Sequence, residues 1–116
     1  MSDANVGTLF LRELRKGFAR QKAQAERVFA QLEAPEWHAR LDAGANSVAV
    51  LARHLAGNLR SRYTDFLTTD GEKPDRDRDG EFTSTSLAPA EILAEWDAGW
   101  EALLSATASL TSDDLW

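Results

Sequence analysis

Cysteine is absent from the 116 residues, which excludes disulfides, thiolate zinc sites, iron–sulfur clusters and any cysteine nucleophile. No apolar run approaches the ~18 residues that a membrane-spanning helix needs. Met1–Phe10 also lacks the basic start and apolar core of a signal peptide. These absences lead us to expect a soluble, intracellular and cytoplasmic protein with no membrane partner. Strand-like alternation and internal repeats are missing, as are a glycine-rich phosphate loop, a nucleophile elbow around a serine and a Cys/His dyad. Basic residues are outnumbered, 13 Lys and Arg against 19 Asp and Glu, for a formal charge of −6. A nucleic-acid groove needs the opposite surplus, so nucleic acid is not an expected partner.

The remaining composition is 43% hydrophobic and 28% charged, and the length suits a single domain over residues 1–116. Helical periodicity predicts three long helices, at about 8–33, 47–67 and 88–109, in an all-α bundle. Leu11, Leu14, Phe18, Ala25, Val28, Phe29 and Leu32 form the first seam, with Thr8 as a candidate cap. Val48, Leu51, Leu55, Leu59 and Phe66 mark the second, opened by Asn46 or Ser47. Ile92, Leu93, Trp96, Trp100, Leu103, Leu104 and Thr107 mark the third, with Pro89 in its first turn. Trp96 and Trp100 read as core, and His38, in the connector beside Trp37, reads as structural. Charge is segregated. Residues 10–27 carry Arg12, Arg15, Lys16, Arg20, Lys22 and Arg27 against Glu13 and Glu26, whereas residues 87–116 carry six acids and no Lys or Arg. This pattern fits a basic and an acidic helix packed together, or a face for a charged partner.

His54 is the residue of greatest chemical interest. On a helical wheel with His54 at zero, Asn58 falls at about 40°, Ser61 at about −20° and Asp65 at about 20°. Leu51, Leu55, Val48 and Phe66 fall at about 60–120°. A polar stripe therefore flanks the apolar seam. His54 fits a histidine bonded to a neighbour or solvated, and alternatively a metal ligand or proton carrier. If it faces the bundle interior without metal, His54→Leu should be neutral or stabilising. The loop Asp75-Arg76-Asp77-Arg78-Asp79-Gly80 matches the opening of a calcium-binding EF-hand loop, but Ser86 stands where the bidentate Glu is required. Two arginines also stand among the candidate ligands. A salt-bridged loop, anchored by Phe82 and ordered over Thr68–Ser86, is the better reading.

The run from Asn46-Ser47 through Arg53-His54, Gly57-Asn58, Ser61-Arg62 and Thr64-Asp65-Phe66-Leu67-Thr68-Thr69-Asp70-Gly71-Glu72-Lys73-Pro74 resembles an uncharacterised bacterial branch of the DinB-like superfamily. The likeness continues at Arg78-Asp79, Glu81-Phe82, Trp96, Gly99-Trp100, Leu110 and Asp113-Asp114-Leu115. It implies an antiparallel bundle of four helices with an inward-facing site for a divalent metal (zinc, nickel, manganese or iron). His54 stands at the position of the ligand on the second helix. Two more histidines come from a fourth helix in that superfamily, and the chain shows no such segment before Trp116. The site is thus expected to be incomplete here, with no metal or a partial one. Relatives include metal-dependent transferases and isomerases that use a small-molecule thiol. The resemblance therefore suggests a transferase or hydrolase, the alternative being a non-catalytic module that acts by association. Without a fourth helix an apolar groove should stay open, with Leu115 and Trp116 nearby. A homodimer that covers it is the expected assembly.

Overall fold

The computed structural model describes residues 3–40, 42, 44–69, 73, 74, 76, 77, 79, 81 and 87–115. Three long helices carry the fold: α1 (Asp3–Phe29), α2 (Val48–Tyr63) and α3 (Pro89–Ala108). Two 3₁₀ turns, Ala34–His38 and Ser112–Leu115, accompany them, and no strand occurs among the described residues. The all-α expectation holds. Ser47 caps α2, its Oγ accepting from the Val50 amide at 3.2 Å, and Pro89 opens α3. Thr8, in contrast, lies inside α1 and does not cap it. Helix α2 also stops short of Leu67. Asp65 takes a left-handed backbone with φ of 50°, and the Thr64 hydroxyl donates to the Arg60 carbonyl at 2.6 Å.

Neighbouring contacts fix the directions of the helices. Arg53 of α2 pairs with Glu95 of α3, and Ala56 lies against Gly99, so α2 and α3 run parallel. Helix α1 runs the other way, with Arg15 reaching Thr107 and Glu26 reaching Trp96. A parallel pair explains the long connector between Tyr63 and Pro89. The chain must travel back along about 24 Å of α2 before α3 can start.

The core comprises Trp37, Ala49, Ala52, Leu59, Ile92, Trp96, Trp100 and Leu103, with Phe18, Phe29, Tyr63 and others packed against it. The α2–α3 contact is unusually close. A Cβ on Gly99 would stand 2.6 Å from the Ala56 carbonyl oxygen, so α2 must face α3 with small residues: Ala49, Ala52 and Ala56 are all buried. This corrects the expected seam at two positions, while Leu59 is buried and Val48 packs against the core as expected. Leu51 and Leu55 are 52% and 38% exposed, because a leucine face could not approach α3 that closely.

Helix α1 is held differently. The Arg15 guanidinium donates to the Thr107 carbonyl at 3.1 Å, and the Trp96 indole donates to Glu26 at 3.1 Å. Lys22 bonds Glu26 at 2.6 Å and reaches Asp97 at 3.7 Å, where basic and acidic helices meet. Phe29 wedges between Trp37 and Trp96, with ring centroids 4.9 Å from each. Outward of these ties, Val6, Leu9, Phe10 and Val28 remain exposed. The radius of gyration is 16.6 Å, against about 13 Å for a compact chain of this length. No helix among the described residues is long and apolar enough to cross a membrane.

Candidate functional site

The polar stripe of α2 is the bed on which the returning connector lies. Lys73 docks first: its amide donates to the Ser61 hydroxyl at 2.8 Å, and its ammonium donates to the Ser61 carbonyl at 2.6 Å. Further along, Glu81 reaches His54, with Nδ1 3.2 Å from Oε1. Beyond that, the His38 ring lies 3.0 Å from the Leu87 carbonyl oxygen, which fastens the connector's end to the first 3₁₀ turn. Residue numbers rise along the connector as they fall along α2, so the strap runs antiparallel to it.

Glu81 is the centre of this arrangement. Its side chain is 9% exposed, and that of Arg76 only 2%. The Arg76 guanidinium grips both carboxylate oxygens, Nε to Oε2 at 3.1 Å and Nη2 to Oε1 at 3.0 Å. Such forked geometry makes a strong, oriented pair. The carboxylate accepts from His54 as well, which turns the ring and leaves its side chain 34% exposed. Gly57 makes room: a methyl group there would overlap the Glu81 carboxylate. Beside the pair opens a cleft of about 260 Å³, lined by Arg53, Gly57, Arg60, Asp77, Glu81 and Glu95. Its charges are largely matched within the protein, Arg53 donating to Glu95 at 2.9 and 3.4 Å.

The expected stripe therefore divides. His54 and Ser61 hold the strap, Asn58 is half-buried, and Asp65 is exposed in the turn beyond α2. The salt-bridged loop stands for its described residues, while Phe82, Asp75, Arg78 and Gly80 lie outside them, as does Trp116. Reading the sequence missed Glu81, Arg76 and Gly57 as one unit. The available signals were the Asp/Arg alternation and a glycine in mid-helix one turn from His54.

A metal centre needs more than this set supplies. Among the described residues no group of three His, Cys, Asp or Glu side chains could hold an ion. His54 brings one imidazole, and the carboxylate beside it is already clasped by a guanidinium, whose positive charge opposes a cation. These residues alone do not fit the three-histidine site of the DinB-like superfamily. Trp96 and Trp100 are core, 2% and 5% exposed, as expected.

Neither the curated proteins nor the solved structures include a match to this chain. Residues 5–116 match the model of a DinB-like family described as "protein of unknown function (DUF1572)", and the chain belongs to that family.

Proposed function

We propose that this chain is a helical association module, acting through the apolar surface that α1 and α2 leave uncovered. The observation that carries this reading is the exposure of Phe10 and Val28 on α1, at 55% and 53%, together with that of Leu51 and Leu55 on α2. Isolated exposed leucines are ordinary, but Val6, Leu9 and Phe10 stand together near the start of α1 and are all about half exposed, and clustered apolar side chains mark interaction sites. The test combines light scattering with binding of the apolar dye anilinonaphthalene sulfonate to dilute protein. Assembly, or dye binding that Phe10→Lys abolishes, supports the reading. A monomer at every concentration that binds no dye contradicts it.

A second reading has one observation in its favour. A buried carboxylate that orients an imidazole through Nδ1 is the support that metal-ligating histidines use. On this reading His54 is one ligand of a divalent metal (zinc, nickel, manganese or iron) in a metal-dependent transferase or hydrolase, with a small-molecule thiol as co-substrate. The other ligands would come from outside the described residues. Elemental analysis of purified protein beside His54→Ala decides it. Stoichiometric metal lost on substitution supports the reading, and equal background in both proteins removes it.

A further inference from the structure

Helices α2 and α3 run parallel, and both end at a groove of about 540 Å³ that the turn at 64–69 borders. That volume is within the range of small-molecule sites, about 300–1,000 Å³. We infer that the groove binds a small apolar amine, an aryl or alkyl body that ends in an ammonium group.

Shape is the first argument. Ala98, Ala102 and Ala106 stand at four-residue steps on one side of α3, so no large side chain of that helix fills the floor. Across from them the chain reverses at Asp65, whose left-handed φ is 50°. The Thr68 and Thr69 amides both donate to the Asp65 carbonyl at 3.0 Å. This turn keeps Phe66 and Leu67 at the groove, where Tyr63 joins them, the Tyr63 and Phe66 ring centroids being 5.9 Å apart. Leu67 is 64% exposed, the most of any large apolar side chain among the described residues. An apolar body laid against these walls removes that surface from water.

Charge is the second argument. Two helix C-termini meet the groove, and each carries the negative end of a helix dipole. The last turn of α2 answers with Arg60 and Arg62, whereas that of α3 has no base. Asp65 and Glu101 add two carboxylates to the lining. Arg60, the only base of the described lining, also borders the cleft beside Glu81. The hydroxyls around the groove direct their protons into the protein. Thr64 donates to the Arg60 carbonyl at 2.6 Å, Ser105 to Glu101 at 2.7 Å, and Ser109 to the Ala106 carbonyl at 2.8 Å. To a ligand they therefore offer lone pairs alone. An ammonium group suits such an acceptor-rich rim and the ring faces of Tyr63 and Phe66, and a carboxylate is repelled by both.

The test is an amide-shift titration of the isotope-labelled full chain with three probes that share one body: phenylbutylamine, phenylbutanol and phenylbutyrate. The shifts locate the site and give each dissociation constant. We expect the amine to move amides at 64–68 and 102–109. It should bind about tenfold more tightly than the alcohol, with the acid weaker still. Two variants separate charge from shape. Asp65→Asn/Glu101→Gln removes both carboxylates, and asparagine tolerates the left-handed backbone. It should weaken the amine about fivefold and leave the alcohol within about twofold. Leu67→Ser removes an exposed wall and should weaken amine and alcohol alike, by about threefold or more. All three positions are exposed, so thermal melts should stay close to the wild type and show that folding is intact. No shift at these amides in millimolar amine, or shifts confined to other amides, overturns the inference. So does an alcohol or acid that binds as tightly as the amine, or an amine indifferent to the carboxylate variant.

Discussion

Helix α2 meets α3 along a strip of alanines closed by Gly99 and meets the returning strap along its polar stripe. Helix α1 has no such second support over its length. It is tied to α3 by a few polar bonds, packs Phe18, Ala25 and Phe29 against the core, and rests its first turns on the Ser112–Leu115 turn near Gly7. The difference shows how a small chain distributes order. Close backbone approach and the Arg53–Glu95 pair fix the parallel pair α2–α3, the buried Arg76–Glu81 pair fixes the strap, and α1 leaves Val6, Leu9, Phe10 and Val28 exposed. Small residues permit that close approach.

The comparison breaks most sharply if the strap is undone. Arg76→Ala leaves the Glu81 carboxylate buried without its cation, which should cost about 3 kcal/mol in urea unfolding. The close contact comes next. Gly99→Val forces α2 away from α3 and should cost about 2 kcal/mol, with near-ultraviolet circular dichroism reporting movement around Trp96 and Trp100. His54→Leu removes one of the hydrogen bonds to Glu81 and should cost about 1 kcal/mol in metal-free protein. The helical wheel alone suggests no loss for that substitution, so the measurement also checks the strap.

On the α1 side the effects are smaller and depend on pH. Lys22 is held above its ordinary pKa of 10.5, chiefly by its hydrogen bond to Glu26 and by the charges of Glu26 and Asp97, against an opposing effect of burial. A raised lysine stabilises the fold fully below its unfolded pKa and loses that contribution as pH rises through the folded value. The α1–α3 seam should therefore weaken only above about pH 10.5, and Lys22→Met should flatten that decline in thermal melts. The smallest change belongs to Asp65. Its left-handed backbone suits glycine, so Asp65→Gly should stabilise by a few tenths of a kcal/mol, up to about 1.

Much of this architecture is legible in the sequence because it depends on local signals. Periodicity places three helices, Ser47 and Pro89 mark helix starts, and the tryptophan pair marks the core. The orientation of α2 is not legible from hydrophobicity. Leu51 and Leu55 weigh heavily in any apolar count, yet the buried side carries Ala49, Ala52 and Ala56 with Leu59, because the decisive factor is how near α3 comes. His54 stands out from its wheel position, but its partner Glu81 lies 27 residues away, across a connector with no periodicity to place it. The Arg/Asp alternation announces ion pairs without specifying which ones form. Only the parallel course of α2 and α3 explains why the strap must lie along that stripe.

Amide hydrogen exchange followed at several protein concentrations tests the central contrast most directly. Protection in α2, set by α3 and the strap within one chain, should not vary with concentration. Protection in α1 should be lower at every concentration, because polar ties and a few apolar side chains hold it where close backbone approach holds α2. Equal protection of the two helices, unchanged by concentration, would contradict the account.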